Sequence, residues 1–334
     1  MLRRVGVPRL GWLPVAIEVV LGPAVALVMA LVIGRLLIWF GLRLGVVDVP
    51  DDRLKTHTGS PVPLGGAAVL VGALSGLAAA GRLDSALVAA LAIVWVIGLA
   101  DDVWGLTAVT RLLGAAVAGS VLVVLTDTGF QLIVAVFWVI AVVVVVNAVK
   151  LIDGLDALAG SVMSVAMVGI TWFGFAQGAA NPWLLLVILG AIFGFLYWNR
   201  PPARLYLGDN GAYVVGLLAV WAGMQASTDR MAGLVAVALI GIPLIDLGVT
   251  VFRRGLSGTS FLMGDRDHTY DRLQAQGLSV AGVAFVLSIG QALWVVVIVL
   301  VSIYAGDLAA AITALGLGLA IAVALGIRSV LAQR

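Results

Sequence analysis

Stretches of roughly 20 apolar residues recur along the whole length of this 334-residue chain, separated by short polar connections. Each stretch is long enough to cross about 30 Å of hydrocarbon at about 1.5 Å per residue. With 63% hydrophobic and 11% charged residues and a mean hydropathy of +1.18, the solvent for most of the surface must be lipid. A chain in lipid has to satisfy its backbone internally, which leaves helices or a closed barrel. Barrel strands alternate apolar and polar residues, whereas Val142 to Val146 is uniformly apolar. The expected fold class is therefore an all-α integral membrane protein, a single polytopic domain over residues 1–334.

Hydropathy places eleven spans near 15–42, 65–81, 85–100, 110–127, 131–149, 159–177, 182–198, 211–227, 231–251, 280–304 and 309–330. Arg3, Arg4 and Arg9 before the first run imitate a signal peptide, but the run continues to about Leu42, longer than a signal core, so it reads as the first membrane helix. There is no cysteine, hence no disulfide, and the net charge of +2 gives no reason to expect nucleic acid as a partner.

The longer polar connections are 43–64, 101–109, 150–158, 199–210 and 252–279. Counting crossings puts all five on one face. That face carries Arg43, Arg53, Lys55, Arg111, Lys150, Arg200, Arg204, Arg253, Arg254, Arg266 and Arg272, against Arg82 and Arg230 in the intervening loops. The excess of basic residues predicts the cytoplasmic face of a plasma membrane, although the N-terminal arginines count against that orientation. Most of the acids share the same face. Carboxylates contribute little to topology, so their clustering points to a shared site for metal and anions.

Five segments carry the candidate chemistry. Asp101 and Asp102 are adjacent at the end of the third span; a solvated helix end would tolerate such a pair, and so would a divalent cation. Asp153 and Asp156, in Asn147-Ala-Val-Lys-Leu-Ile-Asp-Gly-Leu-Asp-Ala-Leu-Ala-Gly160, lie three apart and interrupt an apolar stretch, where acids are expensive. Asp209 follows Tyr206 in a Gly-Asp-Asn-Gly turn; the acid suits a metal and the ring suits stacking on a base, while an ordinary turn has the same composition. The loop holding Arg266 and His268 suits phosphate binding or a basic anchor. The first loop adds Lys55 and His57 before Pro61, Pro63 and Gly65-Gly66.

In this order the five segments resemble the polyprenyl-phosphate N-acetylhexosamine-1-phosphate transferases, from about Asp48 to Leu273. With the eleven or so transmembrane helices already read from hydropathy, the resemblance implies catalytic loops on the cytoplasmic face, and transfer of a sugar 1-phosphate, such as GlcNAc-1-phosphate, from a UDP-sugar to undecaprenyl or decaprenyl phosphate with release of UMP. It also implies Mg²⁺ or Mn²⁺ held by Asp209 with support from Asp101 and Asp102. Asp101, Asp102, Asp156 and Asp209 become the catalytic candidates. Lys55, His57, Asn147, Asp153, Asn199, Tyr206, Arg266 and His268 become the substrate-binding candidates, with Asn199 and Tyr206 at uracil and Lys55, Arg266 and His268 at the diphosphate.

The chain departs from the family pattern at Lys150, which stands for the second Asn of Asn-Ala-x-Asn, and at Ala212, which stands for Ser. It departs again at His268-Thr-Tyr270-Asp271, which stands for His-x-His-His, and its first loop is one residue longer than the commonest form. An inactive relative, a transporter and a CDP-alcohol phosphatidyltransferase are the competing readings. A transporter would place polar groups near the bilayer midplane, and Asp153-Gly-Leu-Asp156-Ala only partly matches the phosphatidyltransferase string. Donor sugar, prenyl length and a homodimeric state stay open. The ninth span, with Gly241 and Pro243, is expected to kink and to wall a groove for the lipid tail, and Asp246 in it is expected to pair with Arg253.

Overall fold

A computed structural model describes residues 12–48, 60–126, 131–258 and 267–332. Thirteen α-helices account for nearly all of these residues, and no strand forms among them. They are α1 (Trp12–Leu44), α2 (Gly65–Ala79), α3 (Ser85–Trp104), α4 (Ala108–Leu125), α5 (Leu132–Ile152), α6 (Leu158–Ala176), α7 (Leu186–Asn199) and α8 (Gly208–Ala226). After these come α9 (Arg230–Ala238), α10 (Gly241–Ser257), α11 (Thr269–Ala275), α12 (Val280–Ala305) and α13 (Asp307–Ala332).

Each expected span falls on a helix, the ninth being divided between α9 and α10. Among the described residues seven helices are individually long and apolar enough to cross a membrane, or eight if the α9–α10 pair forms one span. Large apolar side chains face outward on several of them, Leu132 being 73% exposed, Leu293 63% and Leu315 71%. That outward apolar surface is what lipid requires and water would penalise.

Small residues let the helices approach closely, as in membrane bundles generally. A Cβ added at Gly190 would lie 2.3 Å from the Pro23 carbonyl oxygen, and one at Gly76 would lie 2.6 Å from that of Gly22. The same device positions the turn that carries Asp209. A Cβ at Gly98 of α3 would lie 2.4 Å from the Asn210 Cα, and one at Gly66 of α2 would lie 2.1 Å from the Asn210 side-chain oxygen. Two helices are thereby held against the N-terminus of α8 at backbone distance.

The expected kink in the ninth span is a break, with α9 and α10 inclined at 76°. Pro243 sits in the first turn of α10, where a missing N–H costs little. The backbone groups freed at the break are taken up by α12. Gln291 accepts from the Ile242 N–H (2.9 Å) and donates to the Leu239 carbonyl (2.6 Å), and Trp294 donates to the Ala238 carbonyl (2.8 Å). Inside a membrane such partners have to come from protein.

Candidate active site

The ends of α3, α5, α7 and α10 and the starts of α4, α6, α8 and α11 meet at one end of the bundle. Asp101 and Asp102 arrive on the last turn of α3, Lys150 on the last turn of α5 and Asp209 on the first turn of α8. These are distant in sequence and within hydrogen-bonding distance in space.

The two neighbouring aspartates have different surroundings. Asp101 is buried; one carboxylate oxygen accepts from the Leu106 N–H (2.8 Å), and the other meets Lys150 Nζ (2.5 Å), the Tyr213 hydroxyl (3.1 Å) and an Arg111 nitrogen (3.4 Å). Asp102 points at α8 and accepts from the Asp209 N–H (2.8 Å), the Asn210 N–H (3.0 Å) and the Asn210 side-chain amide (2.7 Å). The first N–H groups of a helix have no partner inside it and lie at the positive end of its dipole. Asp102 therefore caps α8 from a different helix and fixes where Asp209 projects.

Lys150 bridges the two other acids. Its ammonium lies 2.7 Å from Asp209 Oδ2 as well as 2.5 Å from Asp101 Oδ2. The divalent cation expected from the family would need those same oxygens. As these side chains stand the seat between Asp101 and Asp209 is filled by a fixed positive charge, and Asp102 is committed to α8. Among the described residues no group of three or more His, Asp or Glu side chains converges in a way suited to a metal ion. The arrangement does not match a ready divalent-cation site.

The second acidic pair lies beside the first. Asp153 caps the C-terminus of α5 and is partly exposed. Desolvation, followed by the charges of Asp209, Asp102 and Asp156, pushes its carboxyl well above the ordinary carboxylate range, with Lys150 opposing the rise. Asp156 accepts from the Ala203 N–H (2.9 Å), tying the loop after α7 to the start of α6. Asn199, expected at uracil, is buried and braced at both amide atoms: its oxygen accepts from the Ala157 N–H (2.8 Å), and its nitrogen donates to the Leu205 carbonyl (2.9 Å). It shapes the wall of the site from within. Asn147 likewise donates to the Val143 carbonyl one turn back (2.7 Å). Tyr206 is partly exposed on the segment leading into α8, where its backbone pairs with Val62 and Gly65.

His268 joins the site from the far loop. Its Nδ1 lies 2.8 Å from Asp246 Oδ2, and Thr269 donates to the other Asp246 oxygen through both N–H (2.9 Å) and hydroxyl (2.6 Å). The expected partner of Asp246 was Arg253; that expectation is corrected, since Arg253 lies 3.5 Å from Asp267. The sequence departures around His268 are accommodated locally. The Tyr270 ring stacks on His268 (5.4 Å, 9°), and its hydroxyl reaches so close to Gly154 that a Cβ there would lie 2.1 Å away. Asp271 accepts from the His268 N–H (3.1 Å) and so caps α11. Lys55, His57 and Arg266 lie outside the described residues.

The structure thus brings together Asp101, Asp102, Asp209, Asp153 and Asp156, with His268 attached through Tyr270 and Gly154. Sequence reasoning passed over Arg111, Tyr213 and Asn210 as site residues, and saw Lys150 only as a departure. A signal for Lys150 was present: it is one of only two lysines in the chain, and it sits three residues before Asp153.

A profile of glycosyl transferase family 4 matches residues 85–227, the stretch that contributes Asp101, Asp102, Lys150, Asp153, Asp156 and Asp209. Over that stretch the chain is similar to this family. It is 27% identical over 292 residues to a Bacillus subtilis protein described as a probable undecaprenyl-phosphate N-acetylglucosaminyl 1-phosphate transferase, covering 79% of each chain. It is 29% identical over 296 residues to the decaprenyl-phosphate N-acetylglucosaminephosphotransferase of Mycobacterium tuberculosis, covering 73% of each. A phospho-N-acetylmuramoyl-pentapeptide-transferase of Corynebacterium urealyticum is 29% identical over 288 residues, covering 75% of this chain and 73% of that one. The proteins it resembles therefore carry names with two different sugars, so likeness alone does not single out one.

Proposed function

We propose that this chain transfers a sugar 1-phosphate, GlcNAc-1-phosphate being the leading candidate, from a UDP-sugar to polyprenyl phosphate, the first lipid-linked step of a cell-envelope glycan. The observation that carries the proposal is the meeting of Asp101, Asp102, Lys150 and Asp209, from three helices, at one end of an apolar bundle. In this reading the chain crosses the plasma membrane eleven times, with the site on the cytoplasmic face.

An oxygen of the lipid phosphate attacks the sugar-bearing phosphorus of the UDP-sugar. The new P–O bond forms as the bond from that phosphorus to the bridging oxygen breaks, and UMP departs with the electron pair. Both reactants are anions, so the main obstacle is charge repulsion, and positioning with electrostatic stabilisation supplies most of the catalysis. Among the described residues Lys150 and Arg111 are the cations in contact with the acidic cluster. Asp209, on the exposed side of Lys150, is the acid best placed to face the reacting phosphates. The raised carboxyl of Asp153 suits a hydrogen-bond donor to a nucleotide oxygen, and Tyr206 offers a ring for the base. The lipid tail has an apolar candidate path in a cavity of about 320 Å³, bordered by Ile242, Leu287, Trp294 and Leu325 and polar only at Asp246 and Thr269. Asp246 is the partner of His268, so the cavity reaches the rim of the site.

The test is incubation of purified protein with a panel of UDP-sugars and with undecaprenyl or decaprenyl phosphate. Lipid-dependent release of UMP together with a lipid-linked sugar is expected, and Asp209→Asn should lower the rate by at least about 100-fold while the melting temperature stays near that of the wild type. Accumulation of a solute in sealed vesicles with no UMP released would replace this reading with transport.

A further inference from the structure

Lys150 is the residue the family resemblance leaves unexplained, and it occupies the centre of the site. Its ammonium lies between Asp101 Oδ2 (2.5 Å) and Asp209 Oδ2 (2.7 Å), the side chain is only 21% exposed, and the Tyr213 ring stands 5.8 Å away. An ammonium has three donors. Two of them are spent on oxygens that come from different helices, so Lys150 joins α3, α5 and α8 at a single point. A hard divalent ion is held in proteins by such carboxylate oxygens. The geometry points to Lys150 as a resident counter-ion in the Asp101–Asp209 seat, so that Mg²⁺ or Mn²⁺ binds there only by displacing it, and residue 150 sets the affinity for the ion.

Two consequences follow. Divalent-ion binding by the substrate-free protein is weak, because an ion must break two short charged hydrogen bonds and leave a partly buried ammonium in search of a new partner. The Asn that usually stands at this position has no charge to displace, and returning it opens the seat. The inference deepens the proposed transfer reaction by naming what governs its metal requirement, yet ion binding is read without turnover. A protein that failed to transfer sugar phosphate could still show the competition, and an active transferase could fail to show it.

The experiment is Mn²⁺ binding followed by electron paramagnetic resonance on detergent-purified, substrate-free protein. Lys150→Asn should bind one ion at least about tenfold more tightly than the wild type, and Asp209→Asn added to it should remove the gain. Equal affinity in the wild type and the folded Lys150→Asn variant, or a gain that survives Asp209→Asn, would overturn the inference. A second measurement needs no variant. The chain has two lysines, Lys55 and Lys150, so acylation read by mass spectrometry reports each of them. Saturating Mn²⁺ should raise the labelling of Lys150 at least about twofold relative to Lys55, as its ammonium leaves the carboxylates. Unchanged Lys150 labelling at saturating Mn²⁺ counts against displacement.

Discussion

At the scale of single residues, a motif read as one unit separates into different physical tasks. Asp101 and Asp102 were legible as a pair, and adjacency suggested one shared role. The structure gives Asp101 two cations and a tyrosine hydroxyl, and gives Asp102 the N-terminus of α8. Asp102→Ala is accordingly expected to cost about 1–2 kcal/mol of stability, the loss of a helix cap, and to lower activity by letting the Asp209 turn move; a melting curve beside a UMP-release assay would show both. Asp153 behaves in the opposite sense. Its folded-state carboxyl titrates well above the unfolded one, so its contribution is full below the unfolded pKa and is lost as pH rises toward the folded one. Asp153→Asn should melt higher than the wild type, by roughly 2 °C or more, with a difference that grows as pH rises above the ordinary carboxylate range. A pH-independent difference would remove the electrostatic explanation. Asn199 and Asn147 show why residue roles were only partly legible: a sequence shows that an amide is present, but not that Ala157, Leu205 or Val143 has already engaged it.

At the scale of elements, hydropathy located the apolar helices, of which seven or eight among the described residues are long enough to cross a membrane, because lipid imposes one simple requirement on each of those. Gly241 and Pro243 announced a kink in the ninth span, but not that it would be a full 76° break between α9 and α10, since breaking a helix in a membrane depends on a partner elsewhere. The partner is Gln291, fully buried on α12, which both donates to and accepts from the freed backbone. A lone glutamine in an apolar helix was the available signal. Gln291→Leu leaves one buried N–H and one carbonyl unsatisfied and is expected to destabilise the protein by about 2 kcal/mol or more; thermal unfolding in detergent measures it, and a neutral result would mean the break is held otherwise. The first loop and the loop before His268 contain Lys55, His57 and Arg266, and their contribution rests on residues outside those described.

At the scale of the whole molecule, the account depends on scattered segments meeting at a single rim. The sequence carried this in the parity of its loops, and the structure carries it in contacts between α3, α5 and α8. What parity could not supply was the contents of the meeting point, where a lysine holds two acids together. Because the chain has no native cysteine, its sidedness can be read with single engineered cysteines at exposed positions and a membrane-impermeant maleimide on intact cells and on inverted vesicles. Trp104→Cys, Arg204→Cys and Ser257→Cys should all label in inverted vesicles and not in intact cells, while Arg82→Cys, Ala180→Cys and Thr228→Cys should label in intact cells. If the first three divide between the two sides of the membrane, their segments do not share a rim and the site described here does not exist.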